Sequence, residues 1–165
     1  VTQADPSIVR LAHPDDADAL VALCSIDHAE NALRDGTGTP FPFSETKVRG
    51  LLQMAFQENV ERSFCGVIGT VGKPEATVYL KRDCIWSSDR PILREVFSIV
   101  APPYRKTNHA RDLTAFSKVI AACLEKTLVA EITAQRIEAK ERFYARNYGA
   151  ERIGSFYAFD PMPGA

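Results

Sequence analysis

This 165-residue chain has no paired cysteine motif, no membrane-length apolar run and almost no net charge, and each absence excludes a class of function. Cys24, Cys65, Cys84 and Cys123 are scattered, with no C-x-x-C pair and no histidine at ligand spacing beside them. A zinc module or a thiol-disulfide motif is therefore not indicated, and the four read as buried thiols in a reducing cytoplasm. His13 and His28 lack an acidic or cysteine partner at a motif spacing and read as structural or surface residues. Charges or glycines interrupt every apolar stretch well short of the roughly 18 residues of a membrane helix. The expectation is a soluble, cytoplasmic protein with no membrane partner and no metal. The opening segment VTQADPSIVRLA shows no basic stretch followed by an apolar one, so no secretory signal is visible there.

Net charge is −1, yet it is unevenly placed. Residues 1–100 hold ten Lys and Arg against fourteen Asp and Glu, and residues 101–165 hold ten against seven. The small positive surplus of the second part suits a phosphorylated small ligand better than a long nucleic-acid backbone, which demands a strongly basic face. Solvated helix faces account for most of these charges. With 45% hydrophobic and 25% charged residues, the composition is that of a globular protein, and one domain over 1–165 is the simplest organisation.

Residues 8–12 read as a short strand, followed by a helix whose first turn carries Pro14, Asp15 and Asp16, as fixed φ and the helix dipole favour. Leu20, Val21, Leu23 and Cys24 are its core positions. After RDGTGTPFPFS breaks regular structure, Ser44 caps a second helix with Val48, Leu51, Leu52, Ala55 and Phe56 at helical spacing. SFCGVIGTV and ATVYLKRDC flank GKPE as a hairpin. PILREVFSIVA, apolar on both faces, is a central strand. Leu113, Phe116, Ile120, Cys123 and Leu124 form the stripe of a third helix, TLVAEIT is a strand, AQRIEAKERFYARNYGA a helix, and ERIGSFYAF a last strand. The order predicts an α/β (α+β) domain with helices on both sides of a mixed sheet.

One segment stands out, YRKTNHARDL, residues 104–113, which is basic and opens a helix directly after an apolar strand. Such a helix start suits an anion, although a plain strand-to-helix connection with solvent-facing Arg and Lys has the same spacing. With its preceding strand it becomes VAPPYRKTNHA, Val100 to Ala110, which resembles the acyl-CoA-binding motif of the GNAT acetyltransferase superfamily: a strand ending V-x-P-x-Y-R and a loop R/Q-x-x-G-x-G/A. Val100, Pro102, Tyr104 and Arg105 match the first part, while Asn108 and Ala110 stand at the two small-residue positions. Backbone N–H groups at the helix N-terminus would solvate the coenzyme pyrophosphate. Asn108 replaces a glycine and is expected to be strained toward positive φ, the region asparagine tolerates best. His109 is expected to point away from the ligand or meet a phosphate.

RFYARNYGAERI resembles a second segment of that superfamily, a-x-x-[FL]-Y-e-x-x-G-F, with Phe143, Tyr144 and Gly149 in place but one extra residue before the glycine. The family's usual asparagine, seven residues before the tyrosine, is Ile137 here, and its usual alanine is Lys140. The resemblance implies a mostly antiparallel GNAT-like sheet of about six to seven strands flanked by about four helices. It also implies acetyl-CoA as co-substrate and transfer of an acetyl group to an amine acceptor by direct attack. Its site would comprise Ser98, Ile99, Val100, Arg105, Lys106, Thr107, Asn108, His109, Ala110 and Arg111 for the coenzyme. Tyr144, a phenol with an ordinary pKa of about 10, would be the acid for the leaving thiolate. A core aromatic is the other reading of Tyr144, and Tyr148, one turn on, competes for the role.

Glu95 stands close to where some members of the superfamily carry a strand glutamate that takes the amine proton. Alternation puts it on one face with Phe97 and Ile99, and partial desolvation there would raise its pKa; a structural carboxylate paired to Arg94 or Lys81 is the competing reading. An acyl-cysteine route through Cys65, Cys84 or Cys123 lacks a histidine placed to activate it. Phe41 and Phe43, between the first two helices, form either an acceptor wall or part of the core. The pattern P-x-Y-R-x-x-N-x-A followed by K-x-x-F-Y-x-R is similar to a branch seen in phages and prophages. Two rivals remain: a GNAT fold without catalysis acting as a binding or assembly module, and a transferase that modifies nucleic acid. A homodimer is compatible with all three.

Overall fold

In a computed structural model, the described residues are 5–32, 42–57, 62–85, 88–130 and 137–148. They form two compact units, Val1–Glu131 and Ile132–Ala165. The first begins with a 3-10 turn, Pro6–Ile8, which takes up the first residue of the strand expected over 8–12. Asp5 causes the difference: its carboxylate accepts the Ser7 N–H at 2.9 Å, and Pro6 supplies the fixed φ of a helical first position. The strand that follows, β1, is only Arg10–Leu11.

Pro14–Asp16 forms a second 3-10 turn leading into α1, Ala17–Ala32. His13 caps that turn, its Nδ1 accepting the Asp15 N–H at 3.2 Å. The second helix, α2, spans Glu45–Phe56, with the Ser44 hydroxyl accepting the Lys47 N–H at 3.3 Å, as its sequence position predicts. Strands β2 (Ser63–Thr70), β3 (Lys73–Cys84) and β4 (Pro91–Val100) follow. The β2–β3 turn lies at Val71–Gly72, one step ahead of GKPE, because Gly72 takes φ +76° and closes it there. After β4 come the third helix, α3, His109–Cys123, and β5, Thr127–Ala130.

The sheet order is β1-β2-β3-β4-β5, antiparallel except for the parallel β4–β5 pair. It therefore has five strands among the described residues rather than six to seven; the last expected strand, 151–159, lies outside them. Alternation sorts the core. Phe64, Ile68, Val78, Leu80 and Leu93 pack with Leu113, Phe116 and Ala121 of α3 on one face. Cys65, Val67 and Tyr79 pack with Leu20, Val21 and Leu52 of α1 and α2 on the other. Six successive residues of β2, Ser63 to Ile68, are buried because both faces are covered. Tyr79 sends its hydroxyl to the Leu51 carbonyl at 2.9 Å and stacks on Phe97.

One expectation about the core is corrected. Cys84 and Cys123 are exposed, so only Cys24 and Cys65 are buried thiols. Cys123 ends α3, where the last turn rotates past the stripe that Ile120 and Leu124 continue. Phe43 packs against both the α1–α2 core and the His28 ring, 5.5 Å between centroids, while Phe41 lies outside the described residues. The second unit contains α4, Ile137–Tyr148.

Candidate active site

The loop between β4 and α3 is braced from within. A 3-10 turn, Pro102–Tyr104, begins it, with the Tyr104 N–H donating to the Ala101 carbonyl at 2.9 Å. The Thr107 N–H and hydroxyl both donate to the Tyr104 carbonyl, at 3.0 and 2.7 Å. Asn108 is the N-cap of α3, its carbonyl accepting the N–H groups of Arg111 and Asp112. Among the described residues, the N–H groups of Lys106, Asn108 and Ala110 donate to no carbonyl or side chain. Uncommitted donors at the start of a fifteen-residue helix are groups that can solvate an anion.

Asn108 is not strained as expected. Its φ is −83° and ψ 0°, ordinary for any L residue; Glu125 alone among the described non-glycine residues has positive φ. The missing glycine therefore costs this loop no backbone energy. Arg105 is committed elsewhere: its Nε donates to the Val100 carbonyl at 3.3 Å and its guanidinium pairs with Glu30 of α1. Lys106, Thr107 and Ala110 are exposed, and Arg111 is half-buried. His109 turns inward, Nε2 lying 2.9 Å from the Glu75 carboxylate and Nδ1 3.9 Å from that of Asp112.

Upstream of the loop, β4 runs parallel beside β5. Their register runs from Ile92↔Thr127 to Glu95↔Ala130; residues 131–136, which include the rest of the expected TLVAEIT strand, lie outside the described residues. A bulge sits on β4 next to Glu95. Tyr79 pairs with Phe97 but Leu80 pairs with Glu95, so Val96 is an extra residue on β4. Bulges invert alternation, which corrects the expected placing of Glu95: it lies on the α3 face with its cross-strand partner Leu80, while Phe97 and Ile99 pack toward α1 and α2. Glu95 is 2% exposed. Arg94, offered as its partner, reaches Asp83 instead at 3.3 Å.

In α4, the Phe143 and Tyr144 rings meet edge to face at 5.5 Å and both are half-buried. The side chains of Ile137, Lys140 and Tyr148, and Gly149 itself, lie outside the described residues. The buried cysteines are poor nucleophiles: burial pushes the Cys24 thiol up to about 12 and the Cys65 thiol up to about 11. A cavity of about 490 Å³ opens among Leu11, Phe56 and Cys65, on the opposite end of the sheet order from the β4–β5 edge. Sequence reasoning missed Glu75, Glu30 and the Val96 bulge. Glu75 and His109 are 34 positions apart, and Glu30 and Arg105 75 apart, with no periodic signal to link either pair.

No protein-family model and no curated protein matches the sequence. Solved structures do match. A possible acetyltransferase from Clostridium difficile 630 is 15% identical, with a TM-score of 0.66 over 93% of this chain and 97% of the other. An aminoglycoside N-acetyltransferase in complex with CoA is 10% identical, TM-score 0.65, over 92% and 93%. A GNAT family acetyltransferase from Staphylococcus aureus is 13% identical, TM-score 0.57, over 92% and 97%. At such identities the likeness is one of fold.

Proposed function

We propose, from the premise that this chain has the GNAT acetyltransferase fold, that it transfers an acetyl group from acetyl-CoA to a primary amine. The observation that carries this reading is a helix start with uncommitted N–H donors placed directly after β4. The pyrophosphate fits the N–H groups of Lys106, Asn108 and Ala110. The thioester arm fits beside Ser98, Ile99 and Val100, where a strand N–H can polarise its carbonyl.

The amine nitrogen attacks the thioester carbon and the carbon–sulfur bond breaks. Glu95 takes the amine proton directly or through a water. For the departing thiolate, Tyr144 is the acid that the sequence resemblance implies. Holding both reactants in a fixed orientation supplies much of the acceleration, and no acyl-enzyme is needed.

The test is CoA release from acetyl-CoA on mixing with a panel of amines: aminoglycosides, polyamines, peptides with a free N-terminus and peptides with lysine. Amine-dependent thiol release for at least one class supports the reading. Saturable CoA binding with no release across the panel would favour a binding module on the same fold.

A further inference from the structure

The coenzyme loop has both its ends fixed by one residue of another element. Ala101, its first residue, donates its N–H to the Glu75 carbonyl at 2.9 Å. His109, the first residue of α3, places Nε2 2.9 Å from the Glu75 carboxylate. The imidazole is mostly enclosed, its ring 5.7 Å from that of Tyr104 and its Nδ1 3.9 Å from Asp112. Asp112 is itself held by the Asp5 N–H at 2.8 Å.

We infer that Glu75 and His109 are positioning residues that clamp this loop in its anion-binding shape. The inference rests on the coenzyme reading above. A loop without glycine still has many conformations to lose when it wraps a ligand, and fixing its ends beforehand lowers that cost. The internal bonds around Tyr104 and Thr107 brace its middle; only the Glu75 contacts tie both ends to β3. The pairing has an electrostatic side as well. Glu75 puts a carboxylate beside a helix start meant for an anion, and His109 occupies it.

The test is titration calorimetry of the full chain with CoA and with pantetheine, which lacks the pyrophosphate, alongside thermal melts. Losing the pair should weaken CoA binding about tenfold in His109→Ala and in Glu75→Ala, leave pantetheine binding unchanged, and weaken no further in the double variant. His109→Gln, whose amide nitrogen can reach Glu75, should restore binding. His109→Asn, which falls short, should not, and it is the loss variant to use if an alanine variant does not fold. Unchanged CoA affinity in the loss variants, or equal weakening of CoA and pantetheine, would overturn the clamp. Wild-type protein that takes up no CoA would overturn the coenzyme reading, and the clamp with it.

Discussion

Glu95 of β4 pairs with Ala130 of β5, and the bulge at Val96 begins on the next residue of β4. A bulge bends its strand and increases the local twist, so Phe97 to Val100 run on a bent strand into the loop that begins at Ala101.

Stability should depend on one buried carboxylate. Asp16 is 0% exposed, and burial alone would raise its pKa. The Arg10 guanidinium, at 2.7 and 2.9 Å, and the N–H groups of His13 and Gly72 outweigh that and hold it at about 2 against the ordinary 3.8. A depressed value contributes stability above the ordinary pKa that is lost as pH falls through the folded one. Denaturant unfolding should therefore lose about 2 kcal/mol between pH 5 and pH 2 from this group. Asp16→Asn should lose about 3 kcal/mol at pH 7 and flatten that acid limb.

The cysteines should separate into two classes. Cys84 and Cys123 are exposed, while Cys24 and Cys65 are buried with raised values. Alkylation of the native protein at pH 8, read by mass spectrometry, should modify the exposed pair and spare the buried pair until denaturant is added. The Cys84→Ser, Cys123→Ser double variant should keep full acetyl transfer; loss of turnover there would revive an acyl-cysteine route.

Tyr144 is the proposed acid for the leaving thiolate. Tyr144→Phe should lower kcat about a hundredfold with CoA affinity little changed, as expected for an interaction made in the transition state. Full activity in that variant would transfer the role to Tyr148 or to water.

Periodicity located most of the fold. The apolar spacing of Leu20 to Cys24 and of Leu113 to Phe116 found the buried faces of α1 and α3, and Ser44 marked the start of α2. These are local signals. Simple alternation puts Glu95 on the wrong face because one inserted residue in a strand leaves no trace in residue type. The motif position suggests a left-handed residue at Asn108, whereas the short turns around Tyr104 and Thr107 bring the chain into α3 with negative φ. The clamp of Glu75 on His109 depends on β3 running beside the start of α3, a relationship that only the assembled sheet creates.

The central claim is that the loop from Ala101 to His109 binds the pyrophosphate of acyl-CoA, and thermal unfolding in the presence of CoA tests it most directly. At a hundred times the dissociation constant, one-site binding should stabilise the protein by about 2.7 kcal/mol and raise the Tm by about 5 to 10 °C, in proportion to the logarithm of ligand concentration. Asn108→Glu, which sets a carboxylate among the donors, should abolish the shift. An unchanged Tm for the wild-type protein at millimolar CoA would contradict the account.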